Sequence, residues 1–275
     1  MVHQLSSLRG SSADALQALG ARVDDGRNSP EEFAALGQDL FHLAALIRSE
    51  PALRRAITDV STPVEAKASL VRSLLGERVG APALDLLVDA VGHRWVVSRD
   101  LADVLEHLGV VAAVRSAGRE NSSRLADELF AVAQAVEGSA ELRNALSDPA
   151  RSNEDKSALL RGLLDGRTLP ATETLVDQAL AGSFRSFHAG ITQYQKVAAA
   201  AHGEGVALVR VAHALSDAER TRLEQALTAQ YGRPVHLNIQ VEPALVGGMR
   251  VEIGDDVIDG TVAARLDDVR RKLAG

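Results

Sequence analysis

The sequence contains no cysteine, which excludes disulfide bonds, thiolate metal sites and cysteine nucleophiles. Aromatic residues are scarce, since only five Phe, two Tyr and one Trp occur among 275 residues. No uninterrupted apolar run approaches the roughly 18–20 residues that cross a bilayer, and the first residues lack the apolar stretch of a secretory signal. We therefore expect a chain that stays in the cytoplasm and reaches a membrane only through another protein.

Hydrophobic residues nevertheless make up 46% of the chain, and most of them are Ala, Leu and Val. Because Ala and Leu rank high in helix propensity, this composition predicts a largely helical protein. A length of 275 residues suits two or three domains of about 100 residues each. The formal net charge of −7 argues against nucleic acid or anionic lipid as a partner.

The first two thirds of the chain contain an internal repeat. Residues 36–75 align with residues 125–164 at a constant shift of 89, with 14 identities in 40 positions and no gap. The identical pairs include Leu40 with Leu129 and Lys67 with Lys156. Solenoid repeats have periods of about 20–50 residues, so we interpret this longer period as a duplicated domain.

Capping patterns mark where helices begin. Ser29 and Thr62 each precede a Pro at the first helical position and a Glu at N3, and Ser152 offers a weaker version. Further along, Ser216 and Glu219 form a capping box. The glycines that we expect to separate short helices of one to four turns are Gly76, Gly80, Gly92, Gly109, Gly118, Gly138, Gly166, Gly182 and Gly190.

After residue 203 the pattern changes. Residues 205–215 and 235–241 alternate with a period near two, as strands do. A third strand is predicted at 249–253, and amphipathic helices are predicted between the first two strands and at the end of the chain. The apolar faces of these two helices consist of Leu223, Leu227 and Tyr231, and of Val262, Leu266, Val269 and Leu273.

These patterns predict a mainly α fold class, with two related short-helix bundles followed by a small α+β C-terminal domain. We place the first helical bundle at 1–115, the second at 116–203 and the α+β domain at 204–275. Each bundle is then of the size typical of one compact domain.

A glycine pair, Gly247 and Gly248, raises the question of a phosphate-binding loop. Such a loop opens a helix, whose N-terminus adds positive charge. This pair instead opens a predicted strand, no lysine follows at Walker spacing, and carboxylates such as Glu242 and Glu252 would repel phosphate. We therefore predict that the pair provides a turn with positive φ between two strands.

Residues 235–273 contain a series of short motifs in a characteristic order. An apolar strand leads to Glu242-Pro243, the glycine pair opens a short strand, and Asp259-Gly260-Thr261 precedes a helix that contains arginine. This order and spacing resembles the C-terminal signature of the delta subunit family of F-type ATP synthases, called the oligomycin-sensitivity protein in mitochondria. The segments 146–164 and 212–227 also resemble that family, so the similarity covers roughly 120–275. The residues that match its structural motif are Pro243, Gly247, Gly248, Asp259 and Gly260.

The resemblance implies a stator subunit that performs no catalysis and needs no cofactor. In the family, the helical domain grips the N-terminal ends of the alpha subunits, and the C-terminal domain binds the far end of the b subunits. This link keeps the catalytic head from turning with the rotor. The resemblance thus implies a peripheral location on the cytoplasmic face of the cell membrane, reached only through the complex.

The duplication departs from the family, which usually has one helical domain. We expect a free-standing duplicated form, in which one copy caps the head and the other lies along the stalk. The candidate partner-binding residues are apolar side chains on paired helices and arginines of the last helix. They are Leu16, Leu19, Val23, Leu86, Leu87 and Val91 in the first copy, Leu175, Val176 and Leu180 in the second, and Arg265, Arg270 and Arg271.

For these candidates a simpler interpretation stays open. The apolar side chains would pack their own bundle, and the arginines would form a solvated face with neighbouring aspartates. A groove that accepts the apolar face of a partner helix is the functional alternative.

Catalysis, metal binding and nucleic-acid binding have little support. His188 near Ser186 and His213 near Ser216 lack a nucleophile elbow, and no HExxH or DxDxDG spacing indicates a metal site. The basic cluster around Trp95 would suit base stacking, but the acidic balance favours packing. Two rival functions remain: a helical adaptor of another assembly, and a small-ligand-binding enzyme that uses the glycine turns.

Overall fold

The computed structural model describes most of the chain. The described residues are 8–23, 29–164, 166–201, 205–254 and 256–262. Contacts divide the chain into two units, Met1–Ala201 and His202–Gly275. The described part of the first unit is helical and that of the second mixes helix and strand, which confirms the predicted mainly α class with an α+β end.

Eleven α-helices form the described part of the first unit. They are α1 Ser11–Val23, α2 Pro30–Ser49, α3 Pro51–Thr58, α4 Val64–Leu75, α5 Ala81–Ala90, α6 Asp100–Ser116, α7 Ser122–Gly138, α8 Ala140–Ser147, α9 Asn153–Leu164, α10 Pro170–Ala181 and α11 Phe187–Ala201. Within the described ranges, no helix is long and apolar enough to cross a membrane.

Three predicted caps are confirmed. The Ser29 side chain accepts from the backbone N–H of Glu32, whose side chain accepts in return, so α2 begins with a capping box. The same reciprocal arrangement begins the helix after Ser216. At α9, the Ser152 hydroxyl accepts from the N–H of Asp155 at 3.0 Å. Each cap satisfies an N–H group that the helix itself leaves unpaired.

The predicted cap at Thr62 is wrong. The helix α4 begins at Val64, one residue later than expected, with Pro63 in the cap position and no side-chain cap. The physical reason lies in the backbone of Pro63, whose ψ of 142° is extended rather than helical, so that this residue cannot form the first turn.

Two glycines that were predicted to separate helices lie inside helices instead. Gly109 is within α6 and Gly190 is within α11. A Cβ on Gly109 would lie 2.7 Å from ring carbons of Phe41, and one on Gly190 would lie 3.3 Å from the Cβ of Ala179. At these positions glycine allows two helices to approach closely rather than ending one.

The hydrogen bonds of the first unit repeat at the same shift of 89 residues as the sequence. Arg54 donates to two carbonyls in the last turn of α2, and Arg143 donates to two in the last turn of α7. Asp39 accepts the N-cap N–H of α5 at 2.8 Å, and Glu128 accepts the N-cap N–H of α10 at 2.8 Å. The two copies therefore share one framework of polar contacts.

The first unit contains two hydrophobic clusters, and α6 contributes to both. Leu101, Leu105 and Leu108 belong to the first cluster, with side chains of α1 to α5. Val110 and Val114 belong to the second, with side chains of α7 to α11. The helix α6 packs against α1 and α2 and also against α10 and α11. It is consequently buried on most of its circumference.

The second unit is a four-stranded sheet with one helix among its described residues. Its elements are β1 Gly205–Val211, α12 Asp217–Tyr231, β2 Val235–Val241, β3 Met249–Ile253 and β4 Asp256–Asp259. The strand order is β2-β1-β3-β4, with β1 parallel to β2 and antiparallel to β3, and β4 antiparallel to β3. Leu227 of α12 joins the core with Val209 and Val251.

The strand β4 was not predicted, and the predicted last helix lies outside the described residues after Val262.

Candidate partner-binding surfaces

The apolar residues that the sequence indicates for the first copy lie on α1, on α5 and directly after α5. All six are buried in the first cluster, namely Leu16, Leu19, Val23, Leu86, Leu87 and Val91. Their burial agrees with the alternative that they pack their own bundle. Contact with a partner stays a prediction, and any such partner would meet the outer face of these helices.

The equivalent residues of the second copy also belong to a hydrophobic cluster or pack against it. Leu175 and Val176 are fully buried in the second cluster, and Leu180 packs against that cluster while partly exposed. The interpretation is therefore the same for both copies: these side chains hold the bundle together, and partner contact through them stays a prediction.

The outer faces of α1 and α5 carry small and polar side chains. The exposed residues of α1 include Asp14, Gln17, Ala18 and Ala21. An ion pair joins the two helices, since Arg22 Nη1 lies 2.7 Å from Asp89 Oδ2. Asp85 of α5 is also exposed. The surface thus carries the carboxylates of Asp14, Asp85 and Asp89 among small and polar side chains.

One buried carboxylate joins helices of the two copies. Glu106 of α6 is only 3% exposed, and its Oε2 accepts from Arg48 Nη2 of α2 at 2.7 Å. The same nitrogen lies 3.0 Å from Asp103 Oδ1. The other oxygen, Oε1, accepts from Gln178 Nε2 of α10 and from the Tyr194 hydroxyl of α11, each at 3.2 Å. We call these five residues the Glu106 network.

The network shifts the pKa of two of its members, Arg48 and Tyr194. Burial opposes the charge of Arg48, yet Glu106 and Asp103 together raise its pKa above the ordinary value. Burial, and then the Glu106 charge, raise the pKa of Tyr194, so its hydroxyl stays a donor. Next to the network, burial lowers the pKa of His107 to about 4, against the opposing effect of Glu106. His107 is therefore neutral at pH 7.

Sequence reasoning missed the Glu106 network. Its hydrogen-bonded partners lie up to 88 residues apart, so no local motif contains them. The one available signal is a glutamate between Leu105 and Leu108, in a helix whose neighbours are apolar. A charge at a buried helical position is rare unless it is paired.

The glycine pair of the second unit turns the chain. Gly247 and Gly248 have φ values of +155° and +82°. A Cβ on Gly248 would lie 2.4 Å from the carbonyl oxygen of Gly260 and 2.9 Å from the Cα of Thr261. Asp259 Oδ1 accepts from the Thr261 hydroxyl at 2.7 Å and from the Thr261 N–H at 3.0 Å, and these two bonds lower the pKa of Asp259. The two glycine motifs are packed backbone against backbone, and a strand follows the pair rather than a helix.

Around this turn the second unit exposes apolar side chains. Pro243 lies in a turn in which the N–H of Leu245 donates to the carbonyl of Glu242 at 3.0 Å. The exposed fraction of Val246 is 85%, and that of Val241 is 46%. The three arginines predicted for the last helix, Arg265, Arg270 and Arg271, lie outside the described residues.

Neither serine that neighbours a histidine is arranged for catalysis. The Ser186 hydroxyl accepts from the N–H of Ala189 at the start of α11, and Ser216 caps α12.

Trp95 is buried and its indole N–H donates to the carbonyl of Ala90. In the part of the chain that the structure describes, no three His, Asp or Glu side chains are placed to hold a metal ion.

Comparisons with known proteins converge on one family. The family model described as ATP synthase delta (OSCP) subunit matches residues 111–273. A protein named ATP synthase subunit delta from Nocardioides sp. is 74% identical over 275 residues, which cover all of both chains. The protein of the same name from Streptomyces coelicolor is 40% identical over 273 residues, 98% of this chain and 100% of that one.

A solved structure is also similar. One chain of the Toxoplasma gondii mitochondrial ATP synthase hexamer is 21% identical, with a TM-score of 0.35, over 60% of this chain and 96% of that chain. A likeness of that size carries no structural argument. The relationship rests on the sequence matches.

Proposed function

The chain belongs to the ATP synthase delta (OSCP) subunit family and is a component of the peripheral stalk, and we propose that it links the alpha subunits to the b subunits. In this proposal the helical unit binds the N-terminal ends of the alpha subunits at the top of the catalytic head. The second unit binds the C-terminal ends of the b subunits. The link stops the head from turning with the rotor, so that torque drives ATP synthesis.

The observation that carries this proposal is the extent of the family match. Residues 111–273 span the second copy as well as the whole described sheet of the second unit. A linker between two partners needs both parts on one chain. Full-length identity of 74% to a delta subunit adds that the first copy is shared by a relative of the same name.

The geometry supports a binding role over a catalytic one. Surfaces for partners are available, such as the outer faces of α1 and α5 and the exposed valines beside the glycine turn. Both oxygens of the buried Glu106 carboxylate accept hydrogen bonds from Arg48, Gln178 or Tyr194, which suits a structural contact between helices rather than a reactive group. We propose accordingly that the subunit is not an enzyme and that it lies on the cytoplasmic face of the membrane, held there by the complex.

The test is a three-component binding experiment with the full chain. A synthetic peptide of the alpha subunit N-terminus and a soluble C-terminal fragment of the b subunit are titrated separately and together by calorimetry. We expect each to bind and neither to displace the other, because they use different units. Absence of binding by either partner contradicts the proposal.

The rival functions have their own controls. Titration with ATP and NAD tests the ligand-binding enzyme, and measurable affinity for either nucleotide would favour it. Co-purification with the membrane ATPase separates a stalk subunit from an adaptor of another assembly, since only the former stays with the enzyme through detergent extraction.

A further inference from the structure

Polar contacts within each copy repeat along the chain, but the ion pair at the centre of the Glu106 network does not. Arg54 donates to two carbonyls in the last turn of α2, and its counterpart Arg143 does the same in α7. The counterpart of Arg48 at the same shift of 89 is Glu137, which has the opposite charge and is exposed. The network therefore belongs to the junction between the copies rather than to the common plan of both.

Each oxygen of the Glu106 carboxylate bonds to a different copy. Oε2 accepts from Arg48 of α2, in the first copy, at 2.7 Å. Oε1 accepts from Gln178 of α10 and Tyr194 of α11, in the second copy, each at 3.2 Å. It also accepts from the N–H of Ser183, in the loop between α10 and α11, at 3.3 Å. A single buried side chain thus joins helices of both copies.

The loop between α10 and α11 lies directly on this carboxylate. A Cβ added to Gly182 would meet Glu106 Oε1, and it would lie 2.8 Å from the carbonyl oxygen of Gln178. Gly182 has a φ of −76°, which any residue can adopt. Glycine is therefore required here by the approach of the carboxylate and not by the backbone conformation.

The bonds on the two oxygens depend on each other because they share one buried charge. A buried carboxylate stays ionised and in place only while its partners remain. When Arg48 is removed, Glu106 must take up a proton or move toward water, and either change weakens its bond to Tyr194. Loss of the donors on Oε1 loosens the carboxylate for Arg48 in the same way. The two sets of bonds are consequently not additive.

We propose that the Glu106 network is a latch that makes the two copies open and close as one unit. With the network intact, local opening of either copy weakens the bonds that hold the other, so neither copy opens by itself. Without the network the copies still share α6, but each opens at its own rate. This inference concerns the helical unit alone and does not depend on the partners proposed above.

A double-mutant cycle in the full chain measures the coupling. Arg48→Met removes the donor on Oε2, and Tyr194→Phe removes one donor on Oε1 while it keeps the ring. Urea unfolding gives the equilibrium constant of each variant. We expect the increase in the unfolding constant of the double variant to be at least about fivefold smaller than the product of the two single increases. An increase equal to that product, or larger, overturns the proposal.

Arg22→Met is the matched control for Arg48→Met. Arg22 and Arg48 each lie 2.7 Å from a carboxylate oxygen, but the Arg22–Asp89 pair lies within the first copy. Its effect should therefore combine with that of Tyr194→Phe additively, within about twofold. A coupling as large as that of Arg48 would show that the network has no special role, and it would overturn the proposal.

The absence of cysteine allows a second measurement, of where the helical unit opens. Val71→Cys places one thiol in the core of the first copy, and Val176→Cys places one in the core of the second, since both valines are fully buried. The rate at which each thiol reacts with iodoacetamide in the folded chain reports the opening around it. We expect the two rates to agree within about threefold, and to differ by more than that once Arg48→Met is added.

The other outcomes of the labelling experiment contradict the proposal. Rates that already differ by more than about threefold with Arg48 present would mean that the copies open separately. Rates that still agree in Arg48→Met would mean that the network is not needed, whereas agreement in Arg22→Met is expected. If circular dichroism shows that Arg48→Met does not fold, Gly182→Ala takes its place in both experiments, because its Cβ displaces Oε1 without removing a bonding group.

Discussion

At the scale of single residues, the second unit depends on backbone contacts that only glycine permits. Gly248 combines a positive φ with a close approach to Gly260, whereas Gly254 has a φ of +60° and nothing within 4 Å of a Cβ. Substitution at Gly254 therefore measures the cost of a positive φ alone, whereas substitution at Gly248 adds the cost of a steric clash. The two glycines are a matched pair for this comparison.

We predict that Gly248→Ala lowers the local stability of β3 by about 2–4 kcal/mol, because the new Cβ meets the Gly260 carbonyl. Gly254→Ala should lower it by about 1 kcal/mol, from the positive φ alone. Amide hydrogen exchange in β3 measures both. Equal effects would show that close packing at Gly248 contributes nothing.

The Glu106 network gives a second prediction. Arg48→Met removes the cation from a buried carboxylate, so we expect the free energy of unfolding to fall by about 2–4 kcal/mol. Arg22→Met is the control, because the Arg22–Asp89 pair is exposed on both sides and such pairs contribute less than about 1 kcal/mol. Urea unfolding compares the two, and similar losses would contradict the account.

A third prediction concerns pH. The pKa of His107 is lowered to about 4 in the folded chain, and an unfolded histidine has a pKa of about 6.5. The unfolded state therefore binds more protons between these values, so stability is complete above pH 6.5 and falls as the pH drops toward 4. Because the side chain is partly exposed, we expect a loss of about 1–3 kcal/mol.

The variant His107→Gln isolates this contribution from that of the carboxylates. Its urea midpoint should change less than that of the wild type between pH 6.5 and 4. Parallel pH profiles for the two proteins would mean that His107 titrates normally.

At the scale of elements, α6 determines how the helical unit is built. It belongs to two hydrophobic clusters, and its glycine lets α2 approach closely.

We predict that Gly109→Ala lowers the free energy of unfolding by about 1–3 kcal/mol, because the Cβ would meet the Phe41 ring. Gly162→Ala in α9 should raise it by about 0.5–1 kcal/mol, since nothing lies near its Cβ and alanine favours helix. Thermal unfolding gives both signs, and stabilisation by Gly109→Ala would refute the close crossing.

Several elements that depend on local chemistry were predictable from the sequence, although the cap at Thr62 was not. The capping boxes at Ser29 and Ser216 act over three residues, and the strands β2 and β3 have the predicted bounds. The short strand β4 has four exposed residues, so it shows no alternation of burial that sequence reasoning can detect.

Elements that depend on distant partners were not predictable. Glycine both ends helices and permits close packing, and at Gly109 only the position of Phe41 decides between the two. In the same way, Glu106 finds its partners 58 to 88 residues away in sequence. The candidate site shares this limit, because the sequence marks apolar side chains on α1 and α5 but not which face of each helix is open.

At the scale of the whole molecule, the chain combines a helical unit and an α+β unit. The division into 1–115, 116–203 and 204–275 stays a prediction. Residue 115 lies in the last turn of α6, whose side chains enter both clusters of the helical unit. A helix shared in this way makes the two copies depend on each other.

The central claim is that this chain couples the catalytic head to the membrane part of the ATP synthase by binding alone. Its most direct test is ATP-driven proton pumping by membranes stripped of the subunit and reconstituted with the purified full chain. The account predicts that added chain restores pumping and that it hydrolyses no ATP by itself. Full pumping by the stripped membranes without the chain, or no recovery of pumping when the chain is added, would contradict it.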